Sequence, residues 1–200
     1  MTPNISSQLS AQLDASNRVA HILWFALMMS VVIYGGVTFI IAGQGGEGTG
    51  ELALPPLVFA ALAVSSALTG VMMYRQLTSP DRIRAVLSEP RTVEQEYARM
   101  QPTQQSPEMR ARLQALSAAE LRLNRVPGLV FTASIVRWAL FESVAIFGLV
   151  LAINSRSFEA FLPYGITAIA LQAMSPPRLK QITLSAIALM PADVSTSKAT

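Results

Sequence analysis

The chain of 200 residues contains no cysteine and one histidine, and 14% of its residues are charged. Each shortage excludes a class of chemistry. Without cysteine there is no disulfide framework and no zinc–thiolate site. With His21 as the sole histidine, a haem held by paired imidazoles in a helical bundle is excluded. H-E-x-x-H, G-x-S-x-G and phosphate-loop patterns do not occur. The residues therefore suggest no enzyme, no metal and no cofactor. A net charge of +3 is too small an excess to indicate a nucleic-acid partner. A charged fraction of 14%, set beside 52% hydrophobic residues, lies well below the roughly 25% usual in soluble chains.

What the chain has instead is long apolar runs. A helix needs about 20 apolar residues to cross a bilayer. Neither His21 to Ala42 nor Leu52 to Tyr74 contains an Asp, Glu, Lys or Arg. A third run, Phe131 to Ile153, holds Arg137 and Glu142, and a shorter fourth, Phe158 to Met174, holds Glu159. The fold class expected is all-α: a polytopic membrane protein with four transmembrane helices. Basic residues set the orientation. Arg18 precedes the first run, nine arginines lie between the second and third, and Arg178, Lys180 and Lys198 follow the fourth. The opposite side carries Arg156 alone. The bias places both termini in the cytoplasm of a bacterial inner membrane, with the lipid bilayer as the first partner. Trp24 and Trp138, at the cytoplasmic starts of the first and third runs, are expected to anchor them at the interface, with Arg137 extending toward the same surface.

This organisation divides the chain into a tail (residues 1–18), a first hairpin (19–75), a helical connection (76–126), a second hairpin (127–175) and a tail with an interfacial helix (176–200). The first tail has no basic n-region and reads as polar and loosely ordered. Within the connection, Ser79-Pro80 marks one helix start, Thr92 and Gln95 form a capping-box pattern, and Ser106 precedes a longer helix with Met109, Leu113 and Leu116 on one face. The residues from Gln101 to Ser106 read as a linker. Leu179 to Met190 reads as an interfacial helix ended by Pro191. The two hairpins look duplicated as parallel repeats. Ala26 to Gly35 aligns without gaps with Ala139 to Gly148, with Ala, Leu, Ser, Val, Ile and Gly shared, and Ser79-Pro80-Asp81-Arg82-Ile83 corresponds to Ser175-Pro176-Pro177-Arg178-Leu179.

The copies differ where Met29 becomes Glu142. Eleven residues at 1.5 Å each place Glu142 roughly 17 Å from the outer end, near the middle of a ~30 Å core. A bare carboxylate there is costly, so it is expected to be protonated or partnered. Arg137, five residues away and about 140° around the helix, is a poor partner. Ser30, Ser65, Ser66 and Thr167 are the candidates at matching depth, with Tyr34 nearer the outer side. Ala139, Ser143, Ala145 and Gly148, and Ala60, Ala63, Ser66, Ala67 and Gly70 on the second run, permit close helix approach.

The segment Ala139-Leu140-Phe141-Glu142-Ser143-Val144-Ala145-Ile146-Phe147-Gly148-Leu149-Val150-Leu151-Ala152 resembles the carboxylate helix of ATP synthase c-ring proteolipids, whose pattern is A-L-x-E-[AS]-x-x-I-[YF]-G-L-V-x-A. The resemblance implies that Glu142 binds a proton or a sodium ion. It is local: the second run lacks the family's glycine repeat, the connection is about fifty residues long, and a further helix follows. The chain as a whole resembles a four-span bacterial membrane protein. Two functions are expected, in this order: a non-catalytic subunit or assembly partner of a larger membrane complex, joined to other membrane chains or to copies of itself, and a small proton- or cation-handling transporter using Glu142.

Overall fold

The computed structural model describes residues 6–44, 55–89, 92–99 and 106–190. The glycine-rich connection after residue 44, the first residues of the second run, Arg91, most of the linker before Ser106, and the tail from Pro191 with Lys198 lie outside the described residues. All regular structure among the described residues is helical: α1 (Ser7–Gly43), α2 (Pro56–Leu77), α3 (Pro80–Ser88), α4 (Val93–Arg99), α5 (Pro107–Gln114), α6 (Ala118–Leu123), α7 (Val126–Ser155), α8 (Phe158–Ala173), α9 (Leu179–Ala186) and a 3-10 turn at Ile187–Leu189. Three helices are long and apolar enough to cross a membrane: α1, α2 and α7. α8, at 16 residues, spans about 24 Å at 1.5 Å per residue.

The chain forms two compact units. One comprises residues 1–18, 77–131 and 178–200. Its interior is built like that of a soluble helical domain, from Leu9, Leu13, Leu87, Leu113, Val126, Val130 and Leu179, each at most 2% exposed. From Ser7 onward the first segment is helix and not a loose tail. Leu9 and Leu13 stand four residues apart on one face of α1, and burying them offsets the polarity of their neighbours. Ser6 Oγ caps this start by accepting from Leu9 N at 3.3 Å. α3 packs against α6, α9 and the 3-10 turn. Ser79 caps α3, accepting from Arg82 N, with Pro80 at its first position. Thr92 and Gln95 exchange both bonds of a capping box at α4.

Beyond Ser106 the expected single helix is broken in two. α5 ends at Gln114, and Ser117 starts α6 with a capping box to Glu120. Ser117-x-x-Glu120 is the capping-box pattern, which competes successfully with continuation of the Met109–Leu113–Leu116 stripe. Arginines close the other ends. Arg125 donates to Val86 O at 2.9 Å and pairs with Glu89 at 2.8 Å, and Arg122 donates to Leu87 O, so two cations sit on the last carbonyls of α3. Lys180 on α9 pairs with Asp14 on α1 at 2.7 Å.

The second unit comprises residues 19–76 and 132–177. α7 is its central helix. Its Trp138, Phe141, Val144 and Ala145 are at most 2% exposed. A core of Val31, Ala63, Val144, Ala145, Ala152, Phe161 and Ala168 draws on all four long helices. Close approach depends on glycine at one point above all. A Cβ on Gly148 would lie 2.5 Å from Tyr164 Cβ and 3.3 Å from Phe161 O, so α7 and α8 touch almost backbone to backbone there. Gly70 on α2 similarly faces Phe141 and Leu140 of α7. Phe39 and Phe158 meet edge to face at 5.7 Å, closing α1 on α8.

Two predictions follow from these contacts. Gly148→Ala destabilises the purified protein by about 1–3 kcal/mol through overpacking, whereas Gly36→Ala, which meets nothing within 4 Å, does not; thermal unfolding in detergent separates them. In the other unit, burial alone would raise the Glu120 carboxyl, but hydrogen bonds from Ser6 and Ser117 outweigh it and hold its pKa below the ordinary value of 4.5. The bond from Ser6 N to Glu120 Oε1 at 2.8 Å is therefore fully present at neutral pH and is lost as pH falls through that lowered value. Protection of the amides at residues 6–13, taken relative to the intrinsic exchange rate at each pH, falls on acidification, and Glu120→Ala lowers it already at neutral pH.

Candidate functional site

Glu142 projects from α7 toward α1. Its Oε1 accepts two hydrogen bonds, from Ser30 Oγ at 2.6 Å and from Tyr34 Oη at 2.9 Å. Ser30 and Tyr34 are four residues apart and so share one face of α1. Tyr34 lies about 6 Å farther along the helix than Ser30, but helical side chains lean toward the N-terminus, and the phenol reaches back to the same oxygen. All three side chains are half-buried.

Of the expected partners, the structure brings Ser30 to Glu142 and adds Tyr34. It does not bring Ser65, Ser66 or Thr167. Ser65 is exposed on α2, Ser66 is half-buried without a bond to Glu142, and Thr167 Oγ1 donates to Pro163 O at 2.6 Å within α8. Tyr34 was legible as one turn on from Ser30, yet depth counted on Cα positions places it too far out.

Hydrogen counting gives the cluster its chemistry. Ser30 Oγ lies 2.6 Å from Glu142 Oε1 and 2.7 Å from Leu27 O, and a hydroxyl carries one hydrogen. With Glu142 ionised, that hydrogen goes to the carboxylate. With Glu142 protonated, the acid donates to Ser30 Oγ, and the serine hydrogen turns to Leu27 O. Both arrangements keep each hydrogen on an acceptor with no displacement of heavy atoms, and Tyr34 donates in either. The site can therefore hold a carboxyl in both charge states. Among the described residues no group of three or more His, Asp or Glu side chains is placed to hold a metal ion.

No protein family, curated protein or solved structure matches this chain. The site must be read from its own geometry.

A second polar girdle lies toward the other end of the same helices. Trp138 is fully buried, and its Nε1 donates to Ser175 O at 2.9 Å. Arg137 Nη2 donates to the same carbonyl at 3.2 Å, and its guanidinium stacks 3.8 Å from the centre of the Tyr74 ring. Trp24, half-buried on α1, donates to Gln172 O at 2.9 Å. Each of these expected interface residues thus has an intrachain acceptor, tying α1, α7 and the end of α8 together. Sequence reasoning missed Gln172, a fully buried amide on α8. The signal available was its position as a lone carboxamide in an apolar run.

An open cavity of about 420 Å³ lies between α2, α7 and α8, lined mainly by Ala60, Ala63, Ala67, Val144, Pro163 and Tyr164. Its walls are mostly apolar, with Tyr164 and Thr167 among them, and it does not include Glu142.

Double-mutant cycles test the cluster. Ser30→Ala and Tyr34→Phe each couple to Glu142→Gln by about 0.6 kcal/mol, the size of an average interhelical hydrogen bond between apolar helices. Ser65→Ala and Thr167→Ala are additive with Glu142→Gln.

Proposed function

We propose that this chain is a polytopic membrane protein whose Glu142 carboxyl takes up and releases a proton. The observation that carries the reading is the convergence of the Ser30 and Tyr34 hydroxyls on Glu142 Oε1, with Leu27 O available to the serine hydrogen. A purely structural bond needs one partner. Two donors and a spare acceptor provide for both charge states.

The membrane setting belongs to the same proposal. α1, α2 and α7 have spanning length, and α8, antiparallel to α7 and joined to it by Arg156-Ser157, completes a fourth span where the bilayer is locally thinned. The basic residues then place both termini and the α3–α6 segment in the cytoplasm of a bacterial inner membrane. A duplicated hairpin is supported by chemistry as well as letters. Ser30 donates to Leu27 O and its aligned Ser143 donates to Leu140 O, both at 2.7 Å. Gly35 and its aligned Gly148 both face α8, at Phe161 and Tyr164.

A second reading, a non-catalytic subunit or assembly partner of a larger membrane complex, is favoured by a different observation. Ile22, Phe25, Val32, Ile33 and Phe39 on α1 and Leu57, Val64, Leu68 and Met72 on α2 are each more than half exposed. That surface suits other membrane chains, a second copy or lipid. Under this reading Glu142 is an interhelical bond, and Glu142→Gln is tolerated.

Two measurements separate the readings. Glu142 in the full chain is labelled by a hydrophobic carbodiimide in a pH-dependent manner, and Glu142→Gln abolishes both labelling and proton flux in liposomes. Flux unchanged in Glu142→Gln sinks the proton reading. Isolation in mild detergent only as a monomer, free of other chains, counts against the subunit reading.

A further inference from the structure

Gln172 is 0% exposed, and neither Oε1 nor Nε2 of its carboxamide meets a hydrogen-bond partner in the chain. Leaving one buried amide group unpartnered costs about 1–3 kcal/mol. In an apolar helix a leucine would avoid that cost, so the amide calls for a ligand. The chemistry narrows what that ligand is. One end of a carboxamide accepts and the other donates. A cation satisfies only the oxygen and an anion only the nitrogen, whereas water satisfies both.

Helix register places this amide. α7 and α8 are antiparallel, with Trp138 level with Ser175 and Gly148 level with Tyr164. Gln172 is therefore level with Phe141, next to Glu142. Measured along α1 it is level with Trp24, six residues or about 9 Å before Ser30. The first measure sets Gln172 one residue on the Trp138 side of Glu142 and the second sets it at the level of Trp24, so the amide lies within the stretch that runs from the Glu142 cluster to the Trp24–Trp138 end. A chain of one or two waters, at about 2.8 Å per hydrogen bond, bridges roughly 6–8 Å between polar atoms. The charged and titratable groups on the helices of this unit are His21 and Tyr34 on α1, Tyr74 and Arg75 on α2, Arg137 and Glu142 on α7, and Glu159 and Tyr164 on α8 itself. Arg137 is turned onto Tyr74 and Ser175 O.

From these observations we infer that the Gln172 carboxamide binds buried water and that this water is the path by which Glu142 exchanges protons with the Trp24–Trp138 end of the bundle. The inference rests on the proton reading of Glu142. No group is oxidised or covalently modified: a proton passes along the water to the carboxylate, and Gln172 acts as a positioning residue that holds the water.

The test is infrared spectroscopy of the full chain in lipid vesicles, following the carboxylic C=O band that Glu142→Gln removes. Its hydrogen–deuterium exchange rate is measured after transfer to D2O. Gln172→Met keeps length and volume but neither accepts nor donates usefully, and it slows exchange about tenfold, the equivalent of one lost hydrogen bond. Gln172→Asn, which keeps both amide functions, restores most of the rate. Wild-type exchange in Gln172→Met overturns the inference while leaving Glu142 as a proton site. A wild-type spectrum with no Glu142 band at any pH overturns the proton reading and the inference together. If Gln172→Met does not fold, Gln172→Leu serves in its place. Equal slowing in Gln172→Asn and Gln172→Met assigns the effect to packing and likewise overturns it.

Discussion

A carboxyl group on an apolar helix has to be neutral or hydrogen-bonded, and in this protein that constraint is met by α1. The two hydroxyls that reach Glu142 Oε1 come from one helical face, so the bonds fix the axial and rotational setting of α1 against α7 together. Much of the apolar packing nearby is compatible with small slides, because alanine and glycine surfaces are nearly featureless. Val31 and Gly35 on α1, which meet the core and Phe161, are placed by the same setting. A polar bond thus supplies register where apolar contact supplies proximity.

The girdle around Ser175 follows a related logic at the far end of α8. A helix that ends among apolar neighbours leaves carbonyls without intrahelical partners. Just beyond that end Ser175 O receives Trp138 and Arg137, and Gln172 O, which already closes the last turn by accepting from Ser175 N, receives Trp24 as well. Indole and guanidinium groups are apt here because each carries an apolar body and a donor edge, and Arg137 further gains the Tyr74 face. These bonds hold the span helices at a second level, so Glu142 does not have to define the bundle alone.

The other unit solves a soluble protein's problem. Short helices of six to nine residues are unstable alone, and α3 packs on α6 and α9 while the start of α1 is bonded to α6 through Ser6–Glu120 and to α9 through Asp14–Lys180. Their ends are closed by side chains: Ser79 and Ser117 at N-termini, Arg122 and Arg125 at the C-terminus of α3. The arginines that mark one side in a topology count are, in this unit, partly structural.

Sequence alone was sufficient for the all-helical class, the three long apolar helices, the caps at Ser79 and Thr92, and Glu142 with Ser30 as one of four candidate partners. Those features depend on runs, periods and spacings within one segment. The break between α5 and α6 was also written locally, as Ser117-x-x-Glu120, but a competing apolar stripe obscured it. Other features could be decided only by tertiary structure. Leu9 and Leu13 look like part of a polar tail until the rest of their unit covers them. Tyr34 rather than Ser65, Ser66 or Thr167 completes the carboxyl site, because side-chain lean and helix rotation select among residues that depth alone leaves equal. Gln172 is an ordinary polar residue in the sequence and a buried amide in the fold, because burial is a property of which helices pack around a position and no single helix contains that information.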